Sequence, residues 1–393
     1  MTMTAFLACR GIWHQRWQGA AAACAVAMVA SCAVARVHDE PGRTAAAAAP
    51  SATVAGTPPP SPVLGYQLNG VAAVSATSAW AVGTTNRITL HVIGWDGRAW
   101  QRVRLPGAGY LNGVAAVSAA DAWAVGAGRG NTALAEHWNG TAWTPVAIPS
   151  TGGPAILHAV AAVSPRDVWA VGGTNFTGQT VILRWNGTAW ARVASPTPPG
   201  RYSELDGVTA TSATSAWAVG YTVTTTDKKI PLIEHWNGTA WRQVPSPALP
   251  AGGALRGVAA TSVNNAWAVG SSTGALIERW TGTAWTVVHG PALAMGALEG
   301  VTALSDTSAW AVGINLARSQ GQRTVIERWN GTSWALVPSP AMGSLASVTA
   351  TSARNAWAVG SFTGSATGII ERWDGSSWTC MSAPSTAGPC PPG

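Results

Sequence analysis

Ser215-Ala216-Trp217-Ala218-Val219-Gly220 and, further along, Leu232-Ile233-Glu234-His235-Trp236-Asn237-Gly238-Thr239-Ala240-Trp241 are the stretches that decide the fold. Side chains alternate along a strand, so Trp217 and Val219 fall on one face of the first stretch and its alanines on the other. A large face meeting a small one suits sheets that stack. In the second stretch Asn237-Gly238 lies between two aromatic-ended runs and signals a two-residue hairpin, whose central residues take positive φ. That turn is expected to set Trp236 opposite Thr239 and Glu234 opposite Trp241, with both tryptophans on one face.

Both motifs recur seven times. The first carries Trp80, Trp123, Trp169, Trp217, Trp267, Trp310 and Trp357, at spacings of 43, 46, 48, 50, 43 and 47 residues. The second carries the pairs Trp95/Trp100, Trp138/Trp143, Trp185/Trp190, Trp236/Trp241, Trp280/Trp285, Trp329/Trp334 and Trp373/Trp378. A period in the mid-forties is the length of one four-stranded propeller blade. The fold class is therefore all-β, a seven-bladed β-propeller of four-stranded antiparallel blades.

Within each unit, strand A is a run of small residues such as Gly70-Val71-Ala72-Ala73-Val74, suited to the crowded axis. A turn at Ser78, Asp121, Asp167, Ser215, Asn265, Ser308 or Asn355 leads into strand B, the Trp-Ala-Val-Gly segment. Strand C ends on the first tryptophan of the pair and strand D begins on the second. A buried tryptophan removes about 150–250 Å² from water, worth about 4–6 kcal/mol before ordering costs. Tryptophans that recur in every unit are accordingly read as core. Each unit runs A to D in order, so the ring is expected to close by packing blade one against blade seven.

The repeat resembles the kelch type. Val168-Trp169-Ala170-Val171-Gly172-Gly173, with Trp190 and Pro196 downstream, follows the kelch order of an aromatic strand ending in Gly-Gly, a later tryptophan and a proline-containing link. The other units keep one glycine there. The array is also similar to Trp-rich repeats in exported bacterial proteins of unassigned role. It lacks the Gly-His signature of WD repeats and the Asp-box spacing of sialidases.

Arg10 and Arg16 precede the apolar stretch 19–30, the layout of an export signal. Val29-Ala30-Ser31-Cys32 resembles a bacterial lipobox, with Cys32 as the lipidated residue. Ala33-Val34-Ala35 also fits an ordinary cleavage site, and an uncleaved anchor is a third reading. Cleavage before Cys32 removes Cys9 and Cys24 and leaves Cys380 and Cys390 as an expected disulfide pair. Free thiols detected by mass spectrometry would remove that expectation. The domain reading is a signal peptide at 1–31, an Ala/Pro/Thr-rich tether at 32–62, the propeller at 63–381 and a C-terminal tail at 382–393. The tether lacks the apolar periodicity that offsets ordering entropy. The localisation that follows is the extracellular face of the cell membrane, or alternatively secretion.

Charged residues are 10% of the chain and the net charge is +7, from 23 basic and 16 acidic residues. No basic run is present, which argues against nucleic acid as a partner. No cofactor or metal is expected: His137 and His235 alternate with arginine at one repeat position, and His91, His158 and His289 lack ligand spacing. Glu136, Glu234, Glu278, Glu327 and Glu371 recur at one strand position and read as structural partners rather than catalysts. Asn139, Asn186, Asn237 and Asn330 fit the glycosylation sequon, but the hairpin already explains them.

In propellers the D–A and B–C links share one end, and here those links carry the variation. Rigid scaffolds commonly bind through such loops. The candidate ligand-binding residues are Arg87, Arg129, Arg201, Tyr202, Tyr221, Lys228, Lys229, Arg318 and Arg323, a mildly basic loop set. Glu204, Asp206, Arg256 and Glu299 are read as belonging to the same links. The expected function is an exported, surface-tethered binding scaffold for an anionic polysaccharide, wall polymer or another exported protein. The alternative is a glycan-acting hydrolase or lyase.

Overall fold

The structure, a computed structural model, describes residues 65–384 apart from 87, 197, 199, 292–294, 317–322, 363–366 and 383. The expected export signal, tether and lipidation site at Cys32 lie outside the described residues, as do Arg87, Arg318 and Cys390. The described part consists of seven four-stranded antiparallel sheets, each with its strands in sequence order A-B-C-D. The seven A strands are Tyr66–Ser75, Gly109–Ser118, Ala155–Ser164, Tyr202–Ser212, Ala254–Ser262, Gly296–Ser305 and Ser344–Ser352. Each packs beside the next, and the last beside the first.

Blades stack large face on small, as the sequence motif requires. Trp80 and Val82 of blade one share a buried cluster with Ala122 and Ala124 of blade two. Each strand-B tryptophan meets the tryptophan pair of the following blade. Trp80 lies 4.8 Å from Trp138 and 5.2 Å from Trp143, between ring centroids. The series closes at Trp357, which lies 5.0 Å from Trp95 and 5.1 Å from Trp100 of blade one. Two hydrogen bonds join the same seam, from Val71 N to Ser347 Oγ (3.3 Å) and from Ala73 N to Thr349 Oγ1 (3.4 Å). The ring thus closes through packing between blades one and seven.

The C–D hairpin departs from the expected register. Trp236 pairs with Trp241 and Glu234 with Gln243. The connection is the four residues Asn237–Ala240 rather than a two-residue turn. Only Gly238 takes positive φ, at +96°. The Asn237 carboxamide oxygen accepts from the backbone N–H of Thr239 and of Ala240, both at 3.0 Å. An asparagine side chain standing in for a backbone carbonyl makes an Asx-type turn, which lengthens the loop while keeping both tryptophans on one face. The first tryptophan of each pair then ties down the A–B turn of its own blade: Trp236 Nε1 donates to Ala213 O at 3.1 Å.

The glycine ending each Trp-Ala-Val-Gly segment has a specific task. A Cβ at Gly83, Gly126, Gly172, Gly220, Gly270, Gly313 or Gly360 would collide with a strand-A carbonyl oxygen. Beside each of these glycines strand A bulges, so one residue drops out of register. A bulge re-aims the side chain at the point where pairing skips.

Candidate functional site: the bulge ring and blade four

The skipped residues are Asn69, Asn112, His158, Asp206, Arg256, Glu299 and Ala346. They lie on the innermost strands, toward the end that carries the D–A and B–C links. Each is preceded by leucine, and six of the seven flanking glycine or alanine positions also match, Ser347 being the seventh. The scaffold therefore repeats while these residues differ.

The first two close the ring by hydrogen bonding to the next blade. Asn69 Nδ2 donates to Leu111 O (2.8 Å) and Asn112 Nδ2 to Leu157 O (2.9 Å). The next members are ionisable. His158 Nε2 is in ion-pair contact with Glu204 Oε1. Arg256 Nη1 donates to Asp206 Oδ2 at 2.6 Å. Tyr202 and Tyr221 both donate their hydroxyls to Glu204 Oε2, at 2.9 and 2.8 Å. Burial works to raise the Glu204 carboxyl, but His158 and the hydroxyl donors hold it well below the usual carboxylate range. Burial and the Glu204 charge push both tyrosines far up. Burial opposes the charge of Arg256, yet Asp206 and Glu299 beside it keep it cationic.

One donor atom each from His158, Glu204 and Asp206 lie within 4.8 Å of one another. Imidazole and carboxylate donors of this kind are those that bind divalent metals. Here Arg256 pairs with Asp206, and His158 and two phenols engage Glu204, while His158 Nδ1 is buried without a hydrogen-bond partner among the described residues.

Of the candidate ligand residues, the structure gathers Arg201, Tyr202, Tyr221, Lys228 and Lys229 in blade four. Arg201 Nη1 donates to Asp227 Oδ1 at 2.6 Å and Lys228 Nζ to Pro250 O at 2.5 Å. Lys229 Nζ sits 4.0 Å over the Tyr221 ring, and burial lowers its pKa. Arg129 is exposed in a single turn of 3₁₀ helix in blade two, and Arg323 is exposed at the start of strand C in blade six. Five of the candidates thus share one sector, in which several cations are already engaged, while Arg129 and Arg323 stand in other blades. Glu204, Asp206, Arg256 and Glu299, and among the candidates Tyr202, Tyr221, Lys229 and Arg323, are strand residues and not link residues, a correction to the sequence reading. The bulge lets a polar residue sit inside a strand, where polarity alone suggested a loop. His158 was missed for the same reason. The signal that finds it is the one variable position after each invariant leucine.

The recurring glutamates occupy strand C of five blades. All five are buried. Ser195, Ser246 and Ser339, each on the link from the preceding blade, donate to Glu234 (3.0 Å), Glu278 (2.9 Å) and Glu371 (2.7 Å). His137 and His235 meet the A–B turn and stack on strand-B tryptophans, as the arginines do at the same position in other blades. Cys380 is disulfide-bonded.

No family model matches the chain, and no curated protein matches it. Solved propellers do. A structure of YCF48 bound to D1 peptide is 14% identical over 79% of this chain and 92% of that one, with a TM-score of 0.54. The BP39L lectin from Burkholderia pseudomallei is 14% identical over 80% of this chain and 98% of that one, with a TM-score of 0.54. A GH74 xyloglucanase from Xanthomonas campestris is 15% identical over 79% of this chain and 52% of that one, with a TM-score of 0.54. At such identities the likeness establishes the fold alone.

Proposed function

We propose that this chain is an exported, surface-tethered scaffold that binds a glycan or cell-wall polymer at the variable-link end of the propeller. One observation carries the reading. Departures from a near-perfect repeat cluster in one sector at one end, where blade four brings together Tyr202, Glu204, Asp206, Tyr221 and Lys229. A sevenfold scaffold has no structural need for such asymmetry. Solved propellers of the same architecture include a sugar-binding lectin and a peptide-bound protein, which is compatible with a binding role. Lipidation at Cys32, anchoring through residues 32–62 and a kelch-like origin of the repeat belong to the same proposal. They rest on the lipobox-like sequence, the tether composition and the glycine–tryptophan–proline order. Mass spectrometry of the mature N-terminus tests the anchoring.

The hydrolase or lyase alternative is weaker on chemical grounds. A general acid needs a carboxyl whose pKa lies near the working pH. In the polar sector Glu204 is held far below that range and Asp206 is tied to Arg256, and the strand-C glutamates that burial raises toward neutrality are sealed from solvent. The test of the binding reading is titration of the full chain with acidic and neutral cell-surface polysaccharides at low and high salt. Saturable binding without turnover is the expected result. Turnover would favour the enzyme. Binding to no polymer would sink the glycan reading.

A further inference from the structure

Blades three and four enclose a cleft of about 500 Å³ beside the polar sector. That volume lies within the range of small-ligand sites. One wall is the B–C link of blade three, including Thr177 and Gln179, and the other is the approach to strand A of blade four, Arg201–Ser203. Arg192 ends the outer strand of blade three and Ser195 lies on the link that follows it.

The cleft is built rather than incidental. The blade-three link is pinned by Thr174 N to Gln179 O and Gln179 N to Thr174 Oγ1, both 2.9 Å. Thr174 and Thr177 share a hydroxyl hydrogen bond of 2.6 Å. Gly178 O accepts from Ser203 N at 2.8 Å, joining the two walls. Gly178 has φ of +61°, and a Cβ there would meet Tyr202 Cδ2 at 2.7 Å, so only glycine fits. Thr180 and Ser195 hydroxyls meet at 2.7 Å on the inner side.

This rigid link holds Phe176 at its tip, 84% exposed, the most exposed large apolar side chain among the described residues. The cleft lining beside it contains hydroxyls, an amide and two guanidinium groups, and no acidic residue. Arg201 is paired with Asp227. Arg192 is exposed, and its Nη1 is oriented by Thr151 O at 3.0 Å, which fixes the guanidinium plane without neutralising its charge. Tyr202 spends its hydroxyl on Glu204 and presents its ring to the cleft.

We infer that this cleft is a subsite for a carboxylated sugar, a uronic acid residue of an acidic glycan. The C–H face of a pyranose covers Phe176 and removes both surfaces from water. The sugar hydroxyls meet Thr177 and Gln179, and the carboxylate pairs with Arg192, whose fork geometry matches it. The hydroxyls, amide and guanidinium groups of the lining match a hydroxylated and carboxylated ligand. The inference rests on the glycan reading above and narrows it to one subsite and one sugar class.

The test is calorimetric titration of the full chain with oligomers of galacturonate, glucuronate and mannuronate, and with neutral galacto-oligosaccharides. Phe176→Ala and Arg192→Gln are compared with Arg98→Gln, an exposed arginine of the blade-one C–D hairpin at the opposite end. The expected result is that one uronate oligomer binds. Phe176→Ala and Arg192→Gln each weaken it by roughly tenfold, with unchanged unfolding temperature, and Arg98→Gln leaves it as before. Wild-type affinity in either cleft variant overturns the subsite. If a glycan still binds and Lys229→Gln abolishes that binding instead, the scaffold reading stands and the cleft is wrong. If no uronate binds but a neutral glycan does, the sugar class is wrong. A chain that binds no glycan but does bind a protein contradicts both readings.

Discussion

Glu327 shows how far the repeat governs a single residue. In blades four, five and seven the buried glutamate of strand C accepts from a serine on the preceding link. In blade six the corresponding link residue is Gly290, and neither carboxylate oxygen of Glu327 has a hydrogen-bond partner among the described residues. A Cβ at Gly290 would stand 2.9 Å from Glu327 Oε2, a flexible carboxylate that can adjust. Gly290→Ser is therefore expected to restore the missing donor and stabilise the fold by about 1 kcal/mol, one net hydrogen bond. Chemical denaturation of the two proteins checks it, and a destabilised variant would show that the serine does not reach. Blade three solves the same position differently, with Leu183 and Ile148 in one apolar cluster. The identity of this partner was hidden in the sequence, because serine and glutamate belong to different blades and nothing local links them.

At the scale of the element, five C strands each bury a carboxyl away from any cation. Burial raises Glu136, Glu278, Glu327 and Glu371 to about 7 and Glu234 to about 8. Each favours the protonated form in the folded state. Their stabilising contribution is complete below the unfolded value near 4.5 and is lost as pH rises through 7 to 8. His91, which burial lowers to about 4, acts oppositely: its contribution is present above 6.5 and lost as pH falls toward 4. Burial lowers His235 as well, and two histidines against five glutamates still leave the balance with the acids. The unfolding temperature is expected to be several degrees higher at pH 5.5 than at pH 8.5, read by calorimetry. A flat profile over that range would mean the carboxyls are hydrated in solution.

The strands themselves were legible because their signals are local. Tryptophan and valine alternation marks strand B, and Asn-Gly or Asp-Gly marks the hairpin. The register of that hairpin was not legible, since Asn237 acts through its side chain and so adds two residues to the turn. The bulge in strand A was equally hidden. Its only trace is the glycine of Trp-Ala-Val-Gly, whose cause lies across the sheet at a carbonyl of strand A.

For the whole molecule, the count of seven and the seam between blades one and seven follow from a period and a complete set of strands. The site follows from neither. Arg201, Tyr202, Tyr221, Lys228 and Lys229 were found because they break the pattern of the links. His158, Asp206 and Arg256 sit inside strands that otherwise repeat, and only the closed ring brings them together. A rigid sevenfold frame that is polar and asymmetric in one sector concentrates binding there. The direct measurement is hydrogen exchange of the full chain with and without a bound acidic polysaccharide. The account predicts protection confined to the blade-three B–C link around 175–179 and to 200–206 and 221–229 of blade four. Protection spread evenly over all seven blades, or centred on the A–B and C–D turns at the opposite end, would contradict it.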